Sequence, residues 1–251
     1  MAIRSIVVLA AFAALPGYAL AQGTISSGAA SYVIATSHFD TSPAANFTGV
    51  GTGDQIFEAG WWFRIEGDAS ETVFPTPDTQ NYSGATATIA WTNVGGRGFS
   101  ATKTHTLVDG AGNGEVTTNM VVTNGGNAPI TLHLFQMTDW DVNGSAGTDV
   151  GTLVGQGHIR MDDVGFAEAR SPNAVAVKAL PFAAATDIAA LLSDASVTNF
   201  DDGGFPFGPG DITIGLQWTF TLAPGASETA VLFSAANRVA TPVQLQSFGV
   251  D

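Results

Sequence analysis

The chain has 251 residues, of which 45% are hydrophobic and 12% are charged, so it is long and apolar enough to bury a folded core. Its 22 acidic residues against 8 lysines and arginines give a formal net charge of −14. This charge repels phosphate groups, which excludes nucleic acid as a partner. The sequence contains no cysteine, which excludes disulfides, thiolate metal sites and cysteine nucleophiles.

The amino terminus has the pattern of an export signal. A positive charge at Arg4 precedes an apolar run over residues 6–15, and the small residues Ala19 and Ala21 provide a cleavage site. The run is too short for a membrane span, which needs about 20 residues. We therefore expect residues 1–21 to be a signal peptide, residues 22–251 to form a single secreted β-sandwich domain, and no segment to span a membrane after cleavage.

Alternation of apolar and polar residues predicts antiparallel β-structure. In residues 211–222, isoleucine, leucine, tryptophan and phenylalanine alternate with threonine, glycine and glutamine, as in a strand with one buried face. A Pro-Gly turn leads to a second apolar strand over 227–236, and we expect the two strands to form a hairpin. Further strands, separated by turns at the spacing of a β-sandwich, are predicted at 85–93, 99–108, 115–123 and 130–137.

One segment has the composition of a helix. Residues 181–195 combine several alanines with Ile188 and Leu192, which predicts a short helix near 183–194 that begins at about Thr186. The predicted fold class is therefore all-β, a jelly-roll-like antiparallel β-sandwich with one short helix.

Three blocks of strand and turn residues suggest a family. They are residues 54–68, with the sequence DQIFEAGWWFRIEGD, residues 124–141, which end in D-W-D, and residues 208–225, which run from G-P-G-D to A-P-G. Together they resemble the exported domains of PEP-CTERM type proteins from environmental proteobacteria. This resemblance implies a surface-associated or matrix-associated secreted protein of mostly unassigned biochemical role. Residues 239–251 lack the Pro-Glu-Pro motif, apolar helix and basic tail of that family, so we expect free secretion.

One acidic loop has the ligand spacing of a calcium site. Asp139, Asp141 and Asn143, with the glycine that follows, form D-x-D-x-N-G, in which alternate oxygens of a tight turn converge. Asp149 follows, but Val150 occupies the position where such a loop carries a bidentate glutamate. The pattern predicts Ca²⁺ or another hard cation bound by Asp139, Asp141, Asn143 and Asp149. The alternative is a solvated turn rich in Asp and Asn.

Two adjacent tryptophans form the second candidate site. Side chains alternate along a strand, so one of Trp61 and Trp62 is expected in the core and the other facing outward or toward a covering loop. An exposed indole beside Arg64 would stack on a sugar ring while polar groups bind the hydroxyls. The alternative is that both indoles are packed inside the protein.

These features favour a non-enzymatic protein of the cell surface or extracellular matrix that binds extracellular polysaccharide and is stabilised by calcium. The alternative is a secreted glycan hydrolase that uses two carboxylates. No serine-hydrolase signature is present, and the sequence singles out no catalytic residue. We expect the protein outside the cytoplasm, in the extracellular space or the periplasm.

Overall fold

The structure is a computed structural model that describes residues 23–34, 45–183 and 185–238. The predicted signal peptide at residues 1–21 and the C-terminal segment 239–251 lie outside these residues. In the described part of the chain, no helix has the length and apolarity needed to cross a bilayer.

Strands dominate these residues. The first nine are β1 (Gly23–Ser27), β2 (Ala30–Ile34), β3 (Ala45–Thr48), β4 (Ile56–Ile65), β5 (Thr72–Val73), β6 (Thr79–Ser83), β7 (Thr86–Trp91), β8 (Phe99–Asp109) and β9 (Gly114–Asn124). The later elements are β10 (Ile130–Trp140), β11 (Asp149–Gly155), β12 (His158–Asp162), β13 (Phe166–Arg170), β14 (Ala176–Pro181), α1 (Ile188–Leu192), β15 (Phe207–Gly210), β16 (Ile212–Leu222) and β17 (Ser227–Ala236).

The strands form three antiparallel sheets. A small sheet has the order β1-β2-β3, a five-stranded sheet has the order β14-β16-β10-β4-β5, and a nine-stranded sheet has the order β15-β11-β12-β13-β17-β9-β8-β7-β6. Leu134 and Trp218 of the five-stranded sheet share one buried cluster with Met120 and Ile159 of the nine-stranded sheet. This arrangement confirms the predicted all-β antiparallel sandwich, with its main core between the two larger sheets.

The five-stranded sheet is also covered on its other face. Trp62 and Phe135 pack there against Ile188 and Leu192 of α1 and against Phe200, in a second buried cluster. The helix lies within the predicted range, but its N-cap is Asp187 rather than Thr186: the Asp187 carboxylate accepts a hydrogen bond from the Ala190 N–H at 2.7 Å. Strand β10 is therefore buried on both faces.

The hairpin predicted from residues 211–222 and 227–236 is wrong. Strand β16 pairs with β10 and β14 in the five-stranded sheet, whereas β17 pairs with β9 and β13 in the nine-stranded sheet. The turn between them, closed by a hydrogen bond from the Ala226 N–H to the Ala223 carbonyl, carries the chain from one sheet to the other. A local turn signal does not determine which strands pair, because each of these strands pairs on both edges with strands from other parts of the chain.

Candidate cation site and charged sheet face

Three carboxylates meet at one end of the five-stranded sheet. Asp139 lies near the end of β10, opposite Thr213 of β16, while Asp141 follows β10 and Asp211 precedes β16. Because β10 and β16 are antiparallel, the end of one strand lies beside the start of the other. One carboxylate oxygen from each of the three aspartates lies within 4.8 Å of the other two.

A fourth carboxylate lies beside these three. Asp149 is the first residue of β11 and pairs with Gly210, the chain neighbour of Asp211. Its side chain is buried, and neither oxygen has a hydrogen-bond partner among the described residues. The backbone N–H of Val142 is close enough to favour the charged form but does not reach hydrogen-bond geometry. We call Asp139, Asp141, Asp149 and Asp211 the acidic cluster.

Neighbouring cations do not neutralise the acidic cluster. Asp139 is 1% exposed, and none of the ion pairs that the described residues form includes a member of the cluster. Burial, followed by repulsion from neighbouring aspartates, raises the pKa of Asp139 to about 9, that of Asp149 to about 8 and that of Asp141 to about 6. Burial also raises the pKa of Asp211. In this arrangement, the carboxylates either hold protons or share a cation.

Asn143, which the sequence motif places among the ligands, has other partners. Its side-chain oxygen accepts hydrogen bonds from the Thr52 backbone N–H at 3.3 Å and from the Asn237 amide at 3.4 Å. Its own backbone N–H donates to the Gln55 side chain at 2.9 Å. Asn143 therefore fastens the loop to neighbouring segments. The residue that lies with Asp139 and Asp141 is Asp211, which the sequence analysis missed. The one sequence feature that could have indicated it is its position directly before the predicted strand that becomes β16, the partner of β10.

Both tryptophans of the predicted sugar platform are buried. Trp61 is 4% exposed and stacks on Trp218 in the main core, with ring centroids 5.5 Å apart. Trp62 is 1% exposed and donates a hydrogen bond from its indole N–H to the Ser193 hydroxyl at 3.2 Å. The expectation of an exposed indole is therefore wrong, because α1 and the segment after it cover this face of the sheet.

Arg64, the third residue of that predicted platform, is also buried. Its Nε lies 2.9 Å from Oε1 of Glu71, and its Nη2 donates to Oδ1 of Asn199 at 2.8 Å. The guanidinium therefore holds the covering segment onto the sheet and does not face solvent.

The outer surface of the nine-stranded sheet carries charged side chains that the sequence analysis did not single out. They alternate along β12 and β13 with the core residues Ile159, Met161, Ala167 and Ala169. This alternation is visible in the sequences HIRMD and FAEAR, and it could have shown that these charged residues share one face of the sheet. We call His158, Arg160, Asp162, Phe166 and Glu168 the charged face.

Arg160 is the centre of the charged face. Its Nε lies 2.9 and 3.0 Å from the two oxygens of Asp162, and its Cζ lies 4.1 Å above the Phe166 ring. Nη1 lies 3.5 Å from one oxygen of Glu168, and His158 Nε2 lies 3.5 Å from the other oxygen without hydrogen-bond geometry. The Glu168 side chain is buried, while those of Arg160 and Asp162 are 34% and 45% exposed. The face thus presents fixed donors and acceptors that solvent can reach.

Comparison with known proteins identifies the fold. No protein-family model matches the chain, and no curated protein matches it in sequence. A putative aldose 1-epimerase from Escherichia coli K12 is similar in structure, with a TM-score of 0.51 and 11% identity over 86% of this chain and 98% of that one. A galactose mutarotase related enzyme from Lactobacillus acidophilus has a TM-score of 0.53 and 9% identity over 88% of this chain and 98% of that one.

A third solved structure is a bacterial glucoamylase complexed with acarbose. It has a TM-score of 0.58 and 7% identity, and the match covers 86% of this chain but 32% of the glucoamylase chain. The chain therefore shares the β-sandwich fold of these three structures. At these identities, the likeness concerns the fold alone.

Proposed function

We propose that the protein is a secreted, non-enzymatic β-sandwich protein that binds extracellular polysaccharide through the charged face. The observation that carries this proposal is the fixed and partly exposed guanidinium of Arg160, which Asp162 and Phe166 hold from two sides. A guanidinium and a carboxylate in a fixed arrangement offer donors and acceptors to neighbouring sugar hydroxyls. Because little side-chain freedom is lost on binding, such an arrangement favours recognition.

The class of ligand is supported by the fold and by the charge. The three similar structures are described as an aldose 1-epimerase, a galactose mutarotase related enzyme and a glucoamylase complexed with acarbose, which are all names from carbohydrate chemistry. The net charge of −14 opposes the approach of strongly anionic polymers. We therefore propose a neutral polysaccharide.

The location and the absence of turnover belong to the same proposal. The amino-terminal export pattern and the resemblance to exported PEP-CTERM type domains support a place at the cell surface or in the extracellular matrix. The Glu168 carboxylate lies 3.5 Å from Nη1 of Arg160 and 3.5 Å from Nε2 of His158, and its charge attracts the guanidinium. We assign Glu168 to orienting Arg160 for binding and give it no part in bond cleavage.

The test is a glycan array probed with purified residues 22–251, compared between two arginine variants. Arg160→Gln removes the guanidinium of the charged face, and we expect roughly tenfold to hundredfold weaker binding, as for the loss of a hydrogen bond to a charged group. Arg97→Gln is the matched control, because Arg97 also pairs with an aspartate, Asp68, and is 35% exposed. The proposal is wrong if no glycan binds or if both variants bind equally well.

A carboxylate-dependent glycan hydrolase is the second candidate, and the acidic cluster is the observation that favours it. The oxygens of Asp139, Asp141 and Asp211 lie within 4.8 Å of one another, close to the separation of about 5 Å between the two carboxyl groups of retaining glycosidases. The 1% exposure of Asp139 argues against access by a sugar. New reducing ends from glycans incubated with the protein, lost in Asp139→Asn, would replace the binding proposal with this one.

A further inference from the structure

The acidic cluster has the properties of a cation site that is separate from the charged face. We propose that it binds one Ca²⁺ ion through carboxylate oxygens of Asp139, Asp141 and Asp211, with the buried carboxylate of Asp149 beside them. This set differs from the sequence motif, because Asp211, which lies directly before β16, takes the place of Asn143.

The first support for this site is its geometry. Oxygen ligands lie about 2.3–2.6 Å from Ca²⁺, so two oxygens on one ion are at most about 5 Å apart. The three carboxylate oxygens of Asp139, Asp141 and Asp211 lie within 4.8 Å of one another. This separation is close to that of three oxygens that share one ion.

The second support is the set of buried oxygens that have no partner. Oδ1 of Asp139, both carboxylate oxygens of Asp149 and Oδ1 of Asp211 accept no hydrogen bond from any described residue. Asp139 and Asp149 are 1% and 0% exposed, so solvent does not hydrate them either. Leaving carboxylates buried and unpaired is costly, and a cation between Asp139, Asp141 and Asp211 supplies a partner to these carboxylates and a nearby positive charge to Asp149.

The donor atoms select the kind of ion. The cluster offers carboxylate oxygens, and neither histidine nor cysteine belongs to it. Hard cations prefer such ligands, whereas zinc sites use nitrogen or sulfur in most cases. Ca²⁺ accepts six to eight oxygens in flexible geometry, while Mg²⁺ demands a near-ideal octahedron. Ligands that come from the end of β10, from the segment after it and from the residue before β16 suit Ca²⁺ better.

The site joins the two larger sheets. Asp139 and Asp211 belong to the end of the β10–β16 pair in the five-stranded sheet, whereas Asp149 begins β11 of the nine-stranded sheet. The complete site exists in the folded protein alone, because Asp211 is far from the other three aspartates in the unfolded chain. Binding of the ion must therefore stabilise the fold.

The test uses the full mature protein, stripped of metal with a chelator and titrated with CaCl₂ by calorimetry and by thermal unfolding. At calcium concentrations about a hundredfold above Kd, we expect Tm to rise by roughly 5–10 °C. MgCl₂ at equal concentration, with ionic strength matched by NaCl, controls for screening of the acidic surface. The absence of both a heat signal and a rise in Tm, or an equal rise with Mg²⁺, overturns the proposal.

Two variants test whether calcium binds at Asp211 or to the acidic surface in general. Asp211→Asn removes one ligand charge but relieves repulsion, so we expect a metal-free Tm at or above that of the wild type and at least tenfold weaker calcium binding. Glu228→Gln removes an exposed charge on β17 and should respond to calcium as the wild type does. Equal calcium affinity in both variants overturns the proposal. Glycan binding by the charged face is measured independently, so its failure leaves this result intact.

Discussion

Arg64 and Glu71 form an ion pair in which both side chains are buried, with Nε 2.9 Å from Oε1 and side-chain exposures of 4% and 0%. The same Glu71 oxygen accepts a hydrogen bond from the Thr198 backbone N–H, and Arg64 also reaches Asn199. This pair therefore fastens the segment after α1 onto the five-stranded sheet. The sugar platform expected from the sequence is absent because this segment covers Trp62.

We expect Glu71→Gln to lower the free energy of unfolding by about 3 kcal/mol, because the buried Arg64 charge keeps only the longer 3.7 Å contact with the exposed carboxylate of Glu66. Denaturant unfolding measures the change. The control is Arg97→Gln, which breaks the more exposed pair with Asp68 and should cost less than about 1 kcal/mol. Equal losses in the two variants would show that the buried pair does not hold the covering segment.

Substitution of Trp62 tests whether this side chain stabilises the fold or binds a ligand. Trp62→Phe shrinks a buried side chain and removes the hydrogen bond to Ser193, so we expect a loss of about 1–3 kcal/mol in stability. Phe57→Leu on the same strand alters a side chain that is 38% exposed and should cost less than about 1 kcal/mol. Any glycan binding of the wild type should persist in Trp62→Phe, measured on the same array. Loss of binding in a folded variant would restore Trp62 as a ligand-binding residue.

Lys103 gives the protein a predicted dependence on pH. It lies on the core side of β8, and burial lowers its pKa to about 7. In the unfolded chain, a lysine has a pKa of about 10.4. Between these values the unfolded state holds a proton that the folded state has released, so the lysine contributes stability that increases as pH rises from about 7 to about 10.

Lys103→Met removes this titration. We expect the variant to be more stable than the wild type at pH 6, and the difference to shrink by up to about 1.4 kcal/mol for each pH unit above 7. Urea unfolding at a series of pH values, with calcium held constant, measures the difference. Lys178→Met is the control, because Lys178 pairs with Asp201 at the surface and its loss should cost less than about 1 kcal/mol. A constant difference between wild type and Lys103→Met would contradict the prediction.

The local alternation of residues was sufficient to predict several of the strands. The prediction of a strand over 99–108 matches β8 at Phe99–Asp109, and that over 227–236 matches β17 at Ser227–Ala236. Alternation of apolar and polar residues follows from the geometry of a strand with a buried face, so it is present in the sequence itself. The predicted hairpin of β16 and β17 failed because the choice of partner strand depends on distant parts of the chain.

The candidate sites were also predicted only in part, because some of their residues come together through strand pairing. The local motif selected Asp139, Asp141 and Asp149, which the structure places together, but it also selected Asn143, whose oxygen is used by Thr52 and Asn237. Asp211 could not be found from the motif, because its closeness to Asp139 arises from the pairing of β10 with β16. Likewise, the contact between Arg160 and Glu168 requires β12 to lie beside β13.

The sequence by itself determined that this is an acidic, cysteine-free, all-β protein, and it located several strands, among them β8, β16 and β17. These properties follow from composition and from the two-residue period of a strand, which neighbouring residues set. Only the tertiary structure decided that Asp211 meets Asp139, that α1 covers Trp62, and that the charges of β12 and β13 share one face. The reason is physical: burial and strand pairing bring together residues that are far apart in the chain, and no local pattern specifies which edges meet.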